Sequence, residues 1–564
     1  MSKTKQRSGV VVYVTPEIAL DQSLLTYTGG LGVLSGGHVR TAYEMGYPTL
    51  AVTILPRTGY YRQDVSGNEM VVHHDRRYLE HVLHDTRVRL NIPIGGKPVY
   101  VAVRELREDV FGNCRILFLD TDIAENENPA EGSIGRTNTM GLYGGARVQG
   151  TNMDRKVAHS LILGVGAVLA PRALEIDVAL YDVQESHAVF TAVELMREAC
   201  RSAAPGTEQF KKALEQVRSR VLFTTHTPVK DGNPEYSLRH VRWLSGYDEV
   251  LLRAVGCTDE YDHFKMAEVG RYLAGITKAV SRRHFGIAHK LLSAVETDAP
   301  FTYITNGQHR GDWQHPDFCA VLGAEGLERV KRAHVIWFAH EVRRWTGGRC
   351  WSEREEDGEA FTLGWCSRFA AYKRPELLRA DKGWLVRFLK EKRARLFVAG
   401  KPHPDDEKMI QAWNEWYALS REEPRIAVVP GYELDMMRAA KRGLHLCIKT
   451  PRAPYEACGT WGMGGAMDGT LSLSTPDGWY LEADPETWFP FGSNGVGDFD
   501  QDSFDAEELR IRLSEVHRMF VENPSAWYDK ALKAKFAAEE RWSTDRMFRQ
   551  NIELYEALRS ERGA

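Results

Sequence analysis

Residues 10–17 read Val10-Val11-Val12-Tyr13-Val14-Thr15-Pro16-Glu17, and they are followed by Tyr27-Thr28-Gly29-Gly30-Leu31-Gly32-Val33-Leu34-Ser35-Gly36. The short β-branched run predicts a strand, and the glycines predict a tight turn that opens a helix. Backbone N–H groups in such a loop can approach an anion, and the helix N-terminus adds favourable potential. Glycine turns are common, so this one alone names no ligand. The rhythm that it begins decides the fold class. Strand-like runs recur at 49–55, 99–103, 116–119, 178–183 and 221–225, then at 361–366, 395–399, 425–429, 444–448 and 470–473, with longer amphipathic segments between them. Strands alternating with helices predict βαβ units, largely parallel sheets and an α/β fold. Ligands of such sheets sit beyond the carboxyl ends of the strands, where the glycine loop falls.

At 564 residues the chain exceeds what one core usually holds, and two domains are expected. Its 43% hydrophobic and 27% charged residues are ordinary for a globular protein. A net charge of −4 gives no electrostatic reason to expect nucleic acid. Val10–Val14 is too short for the apolar core of a signal peptide, and no apolar run approaches the roughly 18 residues of a membrane span. The eight cysteines (114, 200, 257, 319, 350, 366, 447 and 458) include no Cys-x-x-Cys. They read as reduced, mostly buried thiols of a cytoplasmic protein. The charged run 352–359 reads as a surface loop, and 524–558 as a closing helical segment.

A second stretch carries more chemistry: Glu456-Ala457-Cys458-Gly459-Thr460-Trp461-Gly462-Met463-Gly464. It resembles the cofactor loop of the α-glucan phosphorylases, where a Glu-Ala-Ser-Gly-Thr run leads into Met-Lys and the lysine holds pyridoxal phosphate as a Schiff base. Glu456, Gly459, Thr460 and Met463 fit that pattern, Cys458 replaces serine, and Gly464 stands at the lysine position. Glycine has no amine, so no Schiff base can form there. The resemblance runs through Glu17 and its glycine loop, Leu55-Pro56-Arg57-Thr58-Gly59-Tyr60-Tyr61-Arg62-Gln63, Gln184-Glu185-Ser186-His187, Thr225-His226-Thr227-Pro228, Thr305-Asn306-Gly307, Ser367-Arg368 to Lys373-Arg374, and Gly400-Lys401. These blocks keep the family's order over about residues 9–495. The resemblance implies the GT-B fold, two Rossmann-like domains facing a central cleft. Residues 1–311 would form the N-terminal domain, with the acceptor side and part of the sugar pocket. Residues 312–564 would form the C-terminal domain, with the donor phosphate site and closing helices.

It also implies a set of site residues. Arg368 and Lys373 would neutralise the departing phosphate, with Gly29, Gly30, Cys458, Gly459 and Thr460 around it. Glu17, Asn306 and Glu456 would bind sugar hydroxyls, whose bonds offset the burial of polar groups. The carbonyl beside His226 would face the developing positive charge, and Glu185 and His187 would shape the acceptor side. Tyr432 would align with an aromatic that lies near pyridoxal in the family, Trp461 is a bulky intrusion into the cofactor loop, and an aromatic here could stack on a base or fill vacated space. Ser367 stands where phosphorylases usually carry another cation. No metal is expected. His403-Pro404-Asp405-Asp406-Glu407 resembles a deacetylase zinc motif, but the only His-x-x-His, His81 to His84, lies far upstream.

The reading that follows is a retaining glycosyltransferase, independent of pyridoxal phosphate, that moves sugar from a nucleotide-sugar donor to a glucan or small-molecule acceptor. One alternative is a phosphorylase-like enzyme using phosphate with noncovalent or no pyridoxal phosphate. Another is a non-catalytic sugar-binding protein on the same fold. Expected partners are a sugar nucleotide or sugar phosphate and an acceptor, without nucleic acid or membrane, and with a homodimer among the admissible assemblies.

Overall fold

The structure is a computed structural model that describes residues 9–127, 136, 138–139, 141–144, 152–201, 203–229, 232–256, 261–352, 357–497 and 499–561. The chain forms two compact units: Met1–Tyr60 with His74–Ile304 and Met547–Ala564, and Tyr61–His73 with Thr305–Arg546.

The described residues of the first unit build a nine-stranded sheet in the order Phe301–Tyr303, Ile276–Ala279, Val221–Thr224, Val178–Gln184, Val10–Val14, Thr49–Ile54, Ile116–Asp120, Tyr100–Leu106, His84–Asn91. From Phe301–Tyr303 to Ile116–Asp120 the pairing is parallel, and the last two strands are antiparallel. Val11, Val12 and Val14 are fully buried in the middle of this sheet, which is why their strand reads as an unbroken apolar run. The run at 99–103 is thus a strand, but it leaves the parallel rhythm. Its edge neighbour His84–Asn91 is mostly polar and exposed or part-buried, and only Val88 and Leu90 give it an apolar signal.

In the second unit the strand order is Ile426–Val428, Ala394–Ala399, Phe361–Cys366, Leu446–Lys449, Leu471–Ser474, Phe489–Pro490, and every pair is parallel. Trp365, Trp413, Trp416 and Trp527 are fully buried in this unit.

Besides resuming at Thr305 rather than at 312, the second unit departs from a single cut in two ways. The hairpin Arg62–Ser66 and Glu69–His73 belongs to the second unit, where Met70 N–H donates to Asn414 (2.8 Å) and Gly431 N–H to Gln63 (3.0 Å). The closing helical segment is made of two helices, Pro524–Glu540 and Thr544–Glu561. From Met547 the second belongs to the first unit, because Tyr555 and Leu558 pack with Val11, Leu180, Leu222 and Ile276, and Tyr555 Oη donates to buried Asp182 (2.6 Å). Asp357, in the run expected on the surface, points inward instead, to Arg343 and Arg395 at 2.5 and 2.7 Å; residues 353–356 lie outside the described residues.

Among the described cysteines, Cys319 is exposed and the others are buried and free of disulfides; Cys257 lies outside the described residues. No helix among the described residues is long and apolar enough to cross a membrane.

Candidate functional site

In the first unit the glycine loop opens helix Gly30–Glu44, with Gly29 at its N-cap. Glu17 holds the loop: its Oε2 accepts from Thr28 N–H, from Thr28 Oγ1 (3.1 Å) and from Gly29 N–H (3.3 Å). A Cβ on Gly32 would stand 2.5 Å from Tyr27 Cβ and 3.0 Å from Glu17 Oε2, so that close approach requires glycine. Tyr143 Oη donates to Glu17 Oε1 (3.3 Å), and its ring meets the His187 ring edge-on at 5.2 Å. Tyr143 lies in none of the motifs that mark the site in the sequence.

Glu185 and His226 come together at the ends of neighbouring parallel strands. Glu185 adopts φ +66° and ψ 163°, a region costly for any residue with a Cβ. Its carboxyl accepts from Ser186 N–H (3.1 Å) and His226 N–H (3.2 Å), while His226 Nε2 pairs with Gln184 Oε1 (2.8 Å). Burial pushes the Glu185 carboxyl up to about 8. Burial, with Lys156 nearby, pushes His187 down to about 4; burial also drives His226 well below the usual histidine range. The imidazoles are therefore neutral at pH 7, and Glu185 is largely protonated.

In the second unit Lys373 Nζ is ion-paired with Glu456 Oε2, the two side chains being 15% and 11% exposed. Burial would lower the lysine, but the Glu456 carboxylate outweighs it and holds Lys373 above its ordinary value. Exposed Arg368 lies close enough to act on that charge. Thr450 Oγ1 donates to the Lys373 carbonyl (2.6 Å), and Glu456 N–H donates to Asp477 Oδ2 (2.8 Å), so both partners are fixed through their backbones. Neighbouring Arg374 is structural: it is 1% exposed and binds Asp505 at 2.7 Å.

Gly459 has φ +82°, and a Cβ there would stand 3.2 Å from the Glu456 side chain. Trp479 locks the loop, with its N–H on the Cys458 carbonyl and its Nε1 on the Gly459 carbonyl, both at 3.1 Å. Cys458 is buried, and burial lifts its thiol well above the usual range. Asn306 is buried, and its carbonyl accepts from Arg546 Nη2 at 3.0 Å. Thr460 is the N-cap of helix Trp461–Met467.

That helix contains Gly464. A Cβ built there would lie 2.5 Å from Lys441 Nζ and 3.4 Å from Gln308 Oε1. Lys441, on helix Leu434–Gly443, is 2% exposed; its amine is 3.4 Å from the Trp313 ring centroid and 3.3 Å from Gln308 Oε1. Burial, against the pull of Asp312 and Asp468, drives this amine well below the ordinary lysine value. Trp461 Nε1 donates to Tyr432 Oη (2.8 Å), so these two aromatics are bonded to each other. Lys449 Nζ lies 4.5 Å from the Trp461 ring and 3.3 Å from Ser367 Oγ, and it donates to the Cys366 carbonyl. A lysine from a neighbouring strand thus stands beside the position whose own cation is missing.

His403 and Asp405 cap a turn (Asp405 N–H to His403 Nδ1, 3.2 Å), and Asp406 caps helix Glu407–Glu422, which accounts for the deacetylase-like run without a metal. Among the described residues His315, Asp317 and His334 have metal-ligand spacing. Their hydrogen bonds explain them: His315 Nδ1 accepts Asp317 N–H (3.3 Å), and His334 Nε2 meets Asp317 Oδ2 (2.9 Å).

No protein-family model matches the chain. It is 31% identical to an uncharacterised protein of Methanocaldococcus jannaschii over 555 residues, 96% of this chain and 98% of that one. It is 29% identical to a glycogen phosphorylase of Mycobacterium tuberculosis over 625 aligned positions, covering 97% of this chain and 70% of that one. A maltodextrin phosphorylase of Thermococcus litoralis is 27% identical, with the same coverage of 97% and 70%.

Proposed function

The chain belongs to the α-glucan phosphorylase family as a divergent member that lacks the cofactor lysine, and we propose that it transfers a glycosyl group between a phosphate leaving group and a hydroxyl acceptor. The observation that carries this reading is the Lys373–Glu456 pair beside Arg368. Without substrate, each member of the pair offsets the other's burial. With a sugar phosphate bound, Lys373 and Arg368 turn to the phosphate, and Glu456 accepts from a sugar hydroxyl. As the anomeric C–O bond breaks, its electrons go to the phosphate oxygen, where fixed cations in a dry site are most effective. The acceptor hydroxyl attacks from the same face and gives its proton to the departing phosphate, which retains configuration. We also propose that the two units are the Rossmann-like domains of a GT-B fold.

The residues present do not fit a Schiff-base-linked pyridoxal phosphate. Position 464 has no amine, and the space that its side chain would enter holds the Lys441 amine. The same observation weakens the nucleotide-sugar reading, which needs vacated room for a second phosphate and a nucleoside. The two named relatives also favour the phosphate donor.

A donor panel tests the reaction. Glucose 1-phosphate with a maltodextrin acceptor should release phosphate, and nucleotide sugars should give no transfer. Turnover confined to nucleotide sugars would overturn the reading.

A further inference from the structure

The glycines of Trp461-Gly462-Met463-Gly464-Gly465 are each pressed by a different side chain. A Cβ at Gly462 would stand 2.3 Å from Tyr480 Oη, one at Gly464 2.5 Å from Lys441 Nζ, and one at Gly465 2.8 Å from the Trp461 ring. These distances are far below ordinary contact, so a side chain at any of the three positions would have to displace the group that it meets. Gly464 is therefore more than a lysine lost; it leaves open the space that the Lys441 amine fills.

We infer that Lys441 and Trp461 have taken the place of the family's cofactor, so that the chain's own side chains close this site to pyridoxal phosphate. Three contacts support it. Lys441 Nζ is seated on the Trp313 ring at 3.4 Å, a distance that leaves no room for a second ring between them. The Trp461 indole is fixed by its 2.8 Å hydrogen bond to Tyr432, the aromatic that the resemblance sets beside pyridoxal. Lys449 lies 4.5 Å from the Trp461 ring, a favourable cation–π distance. A lysine restored at 464 would meet the Lys441 amine in a dry site, where two amines cannot both be charged. Lys441 would have to leave Gln308 and Trp313 first. This inference does not rest on the proposed reaction, since cofactor uptake is read without turnover.

The experiment mixes pyridoxal phosphate with the wild type, Gly464→Lys, and the triple variant Gly464→Lys/Lys441→Ala/Trp461→Ser. Borohydride reduction, intact mass and peptide mapping then follow. The wild type and the single variant should stay unlabelled, and the triple variant should carry a pyridoxyl group at position 464. Labelling of the wild type at any lysine of this site overturns the inference. So does a single variant labelled as fully as the triple, or a folded triple variant that stays unlabelled. If the triple variant does not fold, Lys441→Ala/Trp461→Ser is used, with thermal unfolding at increasing pyridoxal phosphate. A ligand-dependent rise in Tm for this double variant and none for the wild type supports the inference; equal behaviour refutes it.

Discussion

Lys373→Ala separates the chemical role of the Lys373–Glu456 pair from its structural one. The substitution leaves Glu456 with only 11% of its side chain exposed and without its counter-ion. Breaking a buried pair by removing one partner costs about 3–5 kcal/mol, and the residual exposure here places the loss near the lower end, about 3 kcal/mol. The Lys373 pKa is raised above 10.5, so its contribution to stability is fully present at neutral pH and lost only as pH climbs through that raised value. Adding Glu456→Gln removes the stranded charge, and the double variant should recover most of that stability. Turnover behaves differently. A cation acting on charge that grows in the transition state is worth about 2.7–4 kcal/mol, or about 10²–10³ in kcat. That loss should persist in the double variant, because neither substitution returns a cation to the phosphate. Urea unfolding and initial rates on the same preparations measure the two terms. If the double variant recovers rate along with stability, Lys373 serves only the fold, and its assignment to the phosphate site is wrong.

Arg368→Ala should lower turnover by a similar factor while leaving stability within about 0.5 kcal/mol, since the side chain is exposed; a near-native rate would remove it from the site. Gly459→Ala should destabilise by about 1–3 kcal/mol through its φ of +82° and should raise KM by moving Glu456, both read from unfolding and kinetics. Glu185 binds its proton more tightly folded than unfolded, so it should make stability fall as pH rises from about 4.5 to about 8. Glu185→Gln should flatten that part of a Tm-against-pH profile and be the more stable protein at pH 8; an unchanged slope would contradict the burial argument.

The alternation of strands and helices was legible because the central parallel strands are buried on both faces and read as plain apolar runs, as in Val10–Val14 and Phe361–Cys366. His84–Asn91 was not, because an edge strand can stay polar. The two places where the chain departs from a single cut were also hidden. They depend on tertiary contacts such as Tyr555 to Asp182, which are 373 residues apart. At the site, residue types were readable and pairings were not: Lys373 and Glu456 are 83 positions apart. Lys441 belongs to no motif of the sequence; it lies in the last turn of helix Leu434–Gly443, where a cation complements the dipole. Nothing in its sequence context shows that its amine turns inward toward Gly464.

The central claim is glycosyl transfer to and from phosphate without a lysine-bound cofactor. Its most direct test is phosphorolysis of maltodextrin by protein stripped of pyridoxal phosphate, with glucose 1-phosphate measured as product. Saturable formation of the α anomer is expected, at a rate that added pyridoxal phosphate leaves unchanged. No product without pyridoxal phosphate, and product once it is added, would contradict the account.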